Sequence, residues 1–143
     1  MCLTIITSLN PVPKKGRGYK IFTVKASRFR ILYRSIYSYS YRKYRIGGRY
    51  KDKLKYYLPS DVSDWWPEEE YAETPLEYMT GFHIYETLED ASSAWERLSP
   101  VCFDARIVEV KYDKAVAKGK EGWPGQSRRV VVARRMKLVR EVY

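Results

Sequence analysis

The chain has 143 residues, 45% hydrophobic and 15% aromatic, with 27 Lys and Arg against 17 Asp and Glu for a net charge of +10. That length and apolar fraction suit one folded domain and exclude both a disordered chain and a fold that needs metal or disulfides to hold together. Cys2 and Cys102 make no disulfide framework or metal cage, and no apolar run approaches the roughly 20 residues of a membrane span.

The charge is laid out in blocks. Residues 1–58 hold fifteen cations and one acid, residues 59–104 hold twelve acids and one cation, and residues 105–143 hold eleven cations and four acids. Such blocks make a dipolar surface that steers a charged partner, unless the fold interleaves them.

Residues 1–18 read as a lead-in. An apolar start is followed by Asn10-Pro11-Val12-Pro13 and Lys14-Lys15-Gly16-Arg17-Gly18, whose prolines and glycines interrupt regular structure. No basic residue precedes the apolar start, so it does not read as a secretory signal, and a reducing intracellular compartment or a particle interior is expected. Tyr19 to Val24 alternates as a strand, and Arg28 to Tyr33 continues that character.

Residues 28–57 carry ten Lys or Arg and eight Tyr against one acid, Asp52. The two-residue repeat of a strand places Tyr33, Tyr37, Tyr39 and Tyr41 on one face and Arg34, Ile36, Ser38, Ser40 and Arg42 on the other. Gly47-Gly48 signals a turn. Beyond it, Arg49, Lys51, Lys53 and Lys55 share a face opposite Tyr50, Leu54 and Tyr56. The segment 28–57 is therefore expected to form a basic, tyrosine-rich hairpin, paired over about 37–57.

An acidic loop is expected over 58–77, with Pro59, Pro67 and Pro75 and the pair Trp65-Trp66. Tyr78 to Tyr85 reads as a strand. Thr87 with Asp90 three residues on signals a helix start, and the helix runs over about 88–98 with Leu88, Ala91, Trp95 and Leu98 as its apolar stripe. Asp104 to Tyr112 alternates with Val108, Val110 and Tyr112 on one side. A loop over 113–127 follows, then a last strand from Arg128 to Val139 in which Val130-Val131-Val132 is buried on both faces. The fold class predicted is α+β: a single domain over 1–143 with a twisted, mostly antiparallel sheet of about five to seven strands and one packed helix.

Cations interleaved with flat aromatic rings suit a polyanion with flat faces. Arg28, Arg30, Arg34, Arg42, Lys43, Arg45, Arg49 and Lys51 are expected to contact phosphates of a nucleic acid, or an acidic protein surface. Tyr37, Tyr39 and Tyr41 are expected to stack on bases or to pack. Exposed in its loop, Trp65-Trp66 would anchor a partner protein. His83 is the only histidine, and with Cys2 it is the weak candidate for a catalytic pocket. No metal site or cofactor is expected.

The segments Met1-Cys2-Leu3, Gly18-Tyr19-Lys20-Ile21-Phe22, Gly81-Phe82-His83-Ile84-Tyr85, Glu89-Asp90-Ala91 and Val132-Ala133-Arg134-Arg135-Met136 follow in this order. In that sequence of motifs the chain resembles a loose group of small proteins of tailed phages and large DNA viruses. The resemblance implies a viral origin, a place in the host cytoplasm or the virion, and a shared fold. It implies no reaction, and it does not cover 28–57. The function expected is a small viral protein that binds nucleic acid or a nucleoprotein complex, for packaging or against a host defence. The alternatives are an assembly component mating through its charge blocks and Trp pair, and a small enzyme or nucleotide-binding pocket around His83 with Cys2.

Overall fold

The computed structural model describes residues 5–27, 30–35, 42–52, 56–57, 78–79, 81–100, 104–122 and 125–143. Their β-branched and aromatic residues build ten strands: β1 (Ile5–Leu9), β2 (Gly16–Ser27), β3 (Arg30–Ser35), β4 (Lys43–Tyr44), β5 (Arg49–Lys51), β6 (Tyr56–Tyr57), β7 (Tyr78–Met79), β8 (Phe82–Tyr85), β9 (Ala105–Glu121) and β10 (Arg128–Glu141). One helix, α1 (Leu88–Leu98), lies between β8 and β9. Every described pairing is antiparallel. The α+β class thus holds, but eight strands join one sheet and β6 and β7 form a second, more than the five to seven expected.

The long strands β2, β9 and β10 frame the molecule. Along one edge β9 pairs with β2 from Ala105 to Tyr112 and then with β1 from Ala117 to Lys120; along the other it pairs with β10. The far edge of β10 takes β8 over Val130–Ala133 and β5 over Arg135–Lys137. A single pair, Tyr19 with Tyr85, joins β8 back to β2 and closes the ring of pairings β2–β9–β10–β8.

Rolling the sheet produces two apolar cores. The inner one gathers Phe22, Tyr33, Tyr44, Phe82, Ile84, Val108, Val110, Tyr112, Val131, Met136 and Leu138. The second lies on the other face, where Ile21, Tyr85, Ile107, Ala117, Val130 and Val132 meet α1. Val130, Val131 and Val132 are each fully buried, as a strand covered on both faces requires.

The Thr87 side chain caps α1 by accepting from the Asp90 N–H at 3.1 Å. Ala91 and Ala94 are the buried helix residues, and small side chains there bring the helix close to the sheet. Trp95 and Leu98 pack partly, with Trp95 Nε1 donating to the Ala105 carbonyl at 3.0 Å. Leu88, assigned to the apolar stripe, is exposed instead. No helix among the described residues is long and apolar enough to cross a membrane.

Four expectations need correction. The lead-in is not merely irregular: β9 outruns β2, and β1 fills the vacated edge with Ile6 buried. The 113–127 loop is mostly strand, because β9 continues to Glu121. The register against β10 shifts by one residue between Ala115 and Ala117, and such a bulge resets the alternation. Ala115, Ala117 and Gly119 then supply too little hydrophobicity to mark a strand. The single strand at 78–85 is two, since β7 pairs with β6 while β8 pairs with β10. Finally, the turn at Gly47 is present (φ 79°), but β4 and β5 do not pair with each other. β4 pairs with β3, and β5 with the edge of β10 that β8 leaves open. Leu138 of β10 holds the turn from both sides, bonding Gly47 N–H at 2.8 Å and the Gly48 carbonyl at 3.1 Å.

Candidate nucleic-acid interface

Antiparallel register brings directly opposed residues to the same face of a sheet. On β5, β10 and β9, Tyr50, Met136 and Tyr112 oppose one another and point into the inner core. Their sequence neighbours must therefore face outward. One outer row is Arg49–Lys137–Lys111, extended onto β2 by Arg17. The other is Lys51–Arg135–Asp113. Four strands, three of them distant in sequence, thus lay four cations side by side in one row.

An open trough of about 400 Å³ lies between the rows, lined by the residues of β5, β9 and β10 in the two rows and by Tyr50, Met136 and Tyr112. With those three side chains turned inward, their backbone is its floor and the long cationic side chains are its walls. Among the described residues that line it Asp113 is the only acid, held by Arg135 at 2.9 Å. Among the described residues, Arg49, Lys51, Lys111 and Lys137 take part in no ion pair.

The border of this face is set by Glu109, opposite Tyr19 on β2 and Arg140 on β10. Its carboxylate is buried between Arg17 at 3.0 Å and Arg140 at 2.6 Å. Those two guanidinium groups, Arg140 first, hold its pKa below the usual carboxylate value against the cost of desolvation. Beyond Glu109 the same outer face turns apolar, with Ile21 and Ile107 under α1. The helix covers that end of the face, away from the basic rows.

The nominated cations are distributed unequally. Arg49 and Lys51 stand on the basic face. Lys43 and Arg45 are exposed beside the turn. Arg42 is exposed too, but its guanidinium donates to the Lys51 carbonyl at 2.8 Å and lies over the rings of Tyr44 and Tyr50. Arg34 is half-buried with its Nε enclosed, and Arg30 belongs to β3. Arg28, Tyr37, Tyr39, Tyr41, Trp65, Trp66 and Cys2 lie outside the described residues, as does the acidic loop over 58–77.

Two tyrosines of the basic segment have structural roles. Tyr33 is buried, and its hydroxyl donates to Glu141 at 2.7 Å; burial and that carboxylate push its pKa up to about 12. Tyr44 is buried against Phe22, Tyr50 and Phe82.

His83 sits half-buried on β8, opposite Val132. Crowding by protein and the nearby Lys20 charge bring its pKa down to about 3, so the imidazole stays neutral where a histidine normally exchanges protons. Lys20 is buried, and its Nζ donates to the His83 carbonyl at 3.0 Å. It fills the gap where β2 and β8 part after their one pairing, and desolvation lowers its pKa to about 8. Among the described residues no group of His, Cys, Asp and Glu comes together to hold a metal.

The motif glycines have a packing cause. A Cβ on Gly18 would lie 2.5 Å from the Tyr85 carbonyl oxygen, and one on Gly81 2.5 Å from that of Ala133. Comparison with known protein families, curated proteins and solved structures finds no match for this chain.

Lys111, Arg135, Lys137 and Arg17 are not among the cations that the sequence pattern singles out. The two-residue spacing of Arg135 and Lys137 is the one sequence signal that marks them, and it reads equally well as an ordinary solvated strand face. Their convergence depends on register alone.

Proposed function

We propose that this protein binds nucleic acid through the basic outer face of β2, β5, β9 and β10. The observation that carries this reading is the row Arg49–Lys137–Lys111–Arg17, aligned across four strands. Like charges in direct opposition on a sheet are destabilising. A fold that sets lysine opposite lysine between arginines gives up stability there, and an external polyanion would relieve the repulsion. Among the described residues of the middle acidic block, the ion pairs run from Glu86 to Lys118 and from Asp90 to Arg129, away from this row, whose end at Arg17 is paired with Glu109.

Fluorescence anisotropy of labelled nucleic acid across a salt series tests the proposal. The logarithm of the binding constant is expected to fall linearly with that of salt concentration, as counterion release demands. Lys111→Gln and Lys137→Gln are each expected to make that slope shallower by about 1. Absence of binding at low salt, or an unchanged slope in both variants, refutes it.

A further inference from the structure

Resting on that nucleic-acid reading, we infer that the ligand is a duplex, held by its phosphate backbone without contact to bases. Two observations point to this.

The first is what the face lacks. Single-strand binders combine a basic groove with exposed rings on which bases stack, each base contributing about 1–3 kcal/mol. The four strands of the basic face are described in full, and their only aromatic residues are Tyr19, Phe22, Tyr50 and Tyr112. All four pack into or against the two apolar cores. Of these described rings, Phe22, Tyr50 and Tyr112 are turned inward and Tyr19 is half-buried against the core under α1, so none stands exposed over the basic rows. A duplex needs none, because its bases are already stacked on one another.

The second is charge spacing. Adjacent strands lie about 4.8 Å apart, so the row from Arg49 to Arg17 spans about 14 Å over its three gaps. A duplex carries one phosphate per about 3.4 Å of axis on each strand, or about four along that distance. Cations this closely spaced suit the charge density of a duplex, which carries one phosphate per about 1.7 Å of axis over its two strands. Arg17, at the end of the row, is shared with Glu109, and Lys51 adds an unpaired cation on the opposite wall of the trough.

The experiment uses the full chain with a short DNA duplex, the RNA duplex of the same sequence, each separated strand, and polyglutamate as a competitor. Both duplexes are expected to bind about tenfold more tightly than either single strand at the same salt, with a log–log slope near about −3.6 for about four phosphates. Equal affinity for A·T-only and G·C-only duplexes is expected if bases are not read. Single strands binding as tightly as duplexes overturn the inference and leave the nucleic-acid reading standing. Binding to only one of the DNA and RNA duplexes, or dependence on base composition, overturns the backbone-only contact. Polyglutamate competing as well as duplex, or no nucleic acid binding at low salt, overturns the underlying reading itself.

Discussion

His83 and Lys20 show how one residue's environment fixes its chemistry. Both stand out in the sequence, and both are engaged by the closure between β2 and β8: the lysine donates to the histidine's own carbonyl. The histidine has a stability consequence with a definite sign. Its folded pKa, about 3, lies below the ordinary 6.5. In the interval between, the unfolded chain binds a proton that the folded chain does not, so stability falls as pH drops below 6.5. Down to about pH 5 most carboxylates are still ionised; buried Glu121, whose pKa desolvation raises, acts with the opposite sign. Urea midpoints measured over that interval should fall more steeply for the wild-type chain than for His83→Gln. Parallel curves would show that His83 titrates normally. Glu109 works at lower pH: its depressed pKa stabilises the fold above the unfolded value of 4.5, and that contribution is lost on acidification through the folded value.

Among the elements, those with their own periodic signal are legible in the sequence. α1 announces itself by Thr87 and Asp90, and the strands at 105–112 and 128–139 by alternating valines. The elements that escape such a reading are those specified by neighbours. β1 is defined by the edge of β9 it fills, and the later half of β9 buries Ala115, Ala117 and Gly119, whose small size gives no hydrophobic alternation to read. Close approach of strands makes a prediction at β8. Ala at position 81 would drive its Cβ against the Ala133 backbone. Gly81→Ala should therefore destabilise the protein by about 1–3 kcal/mol, the usual cost of overpacking, seen as a lower denaturation midpoint with an unchanged m-value. Wild-type stability in this variant would mean that β8 and β10 part without cost.

Over the whole molecule, the charge blocks are plain in the sequence, but their arrangement is not. Periodicity places the binding surface in one continuous hairpin. In the fold, β4 and β5 separate, Tyr33 and Tyr44 go to the core, and Arg42 caps a carbonyl and two rings. Of the nominated cations whose side chains are described, Arg49 and Lys51 join the basic face. The two surfaces can be compared directly. Arg49→Gln with Lys111→Gln and Lys137→Gln should make the salt dependence of nucleic-acid binding shallower by about 3, one for each phosphate that these side chains neutralise. Arg42→Gln with Lys43→Gln and Arg45→Gln should change it less, although the second set is contiguous in sequence. Circular dichroism of both triples guards against loss of fold. The reverse ranking would return the site to the segment around the Gly47 turn.

What the amino-acid order determined alone was local: which stretches alternate, where the helix begins, and that positive charge dominates both ends of the chain. These follow from side-chain periodicity and capping chemistry, which act over a few residues. Only the tertiary structure decided which cations meet. Register between β2, β5, β9 and β10 depends on the bulge between Ala115 and Ala117, on the glycines that let strands approach, and on whether a tyrosine finds a place in the core. Those are long-range packing effects, and a single strand read by itself does not reveal its partner.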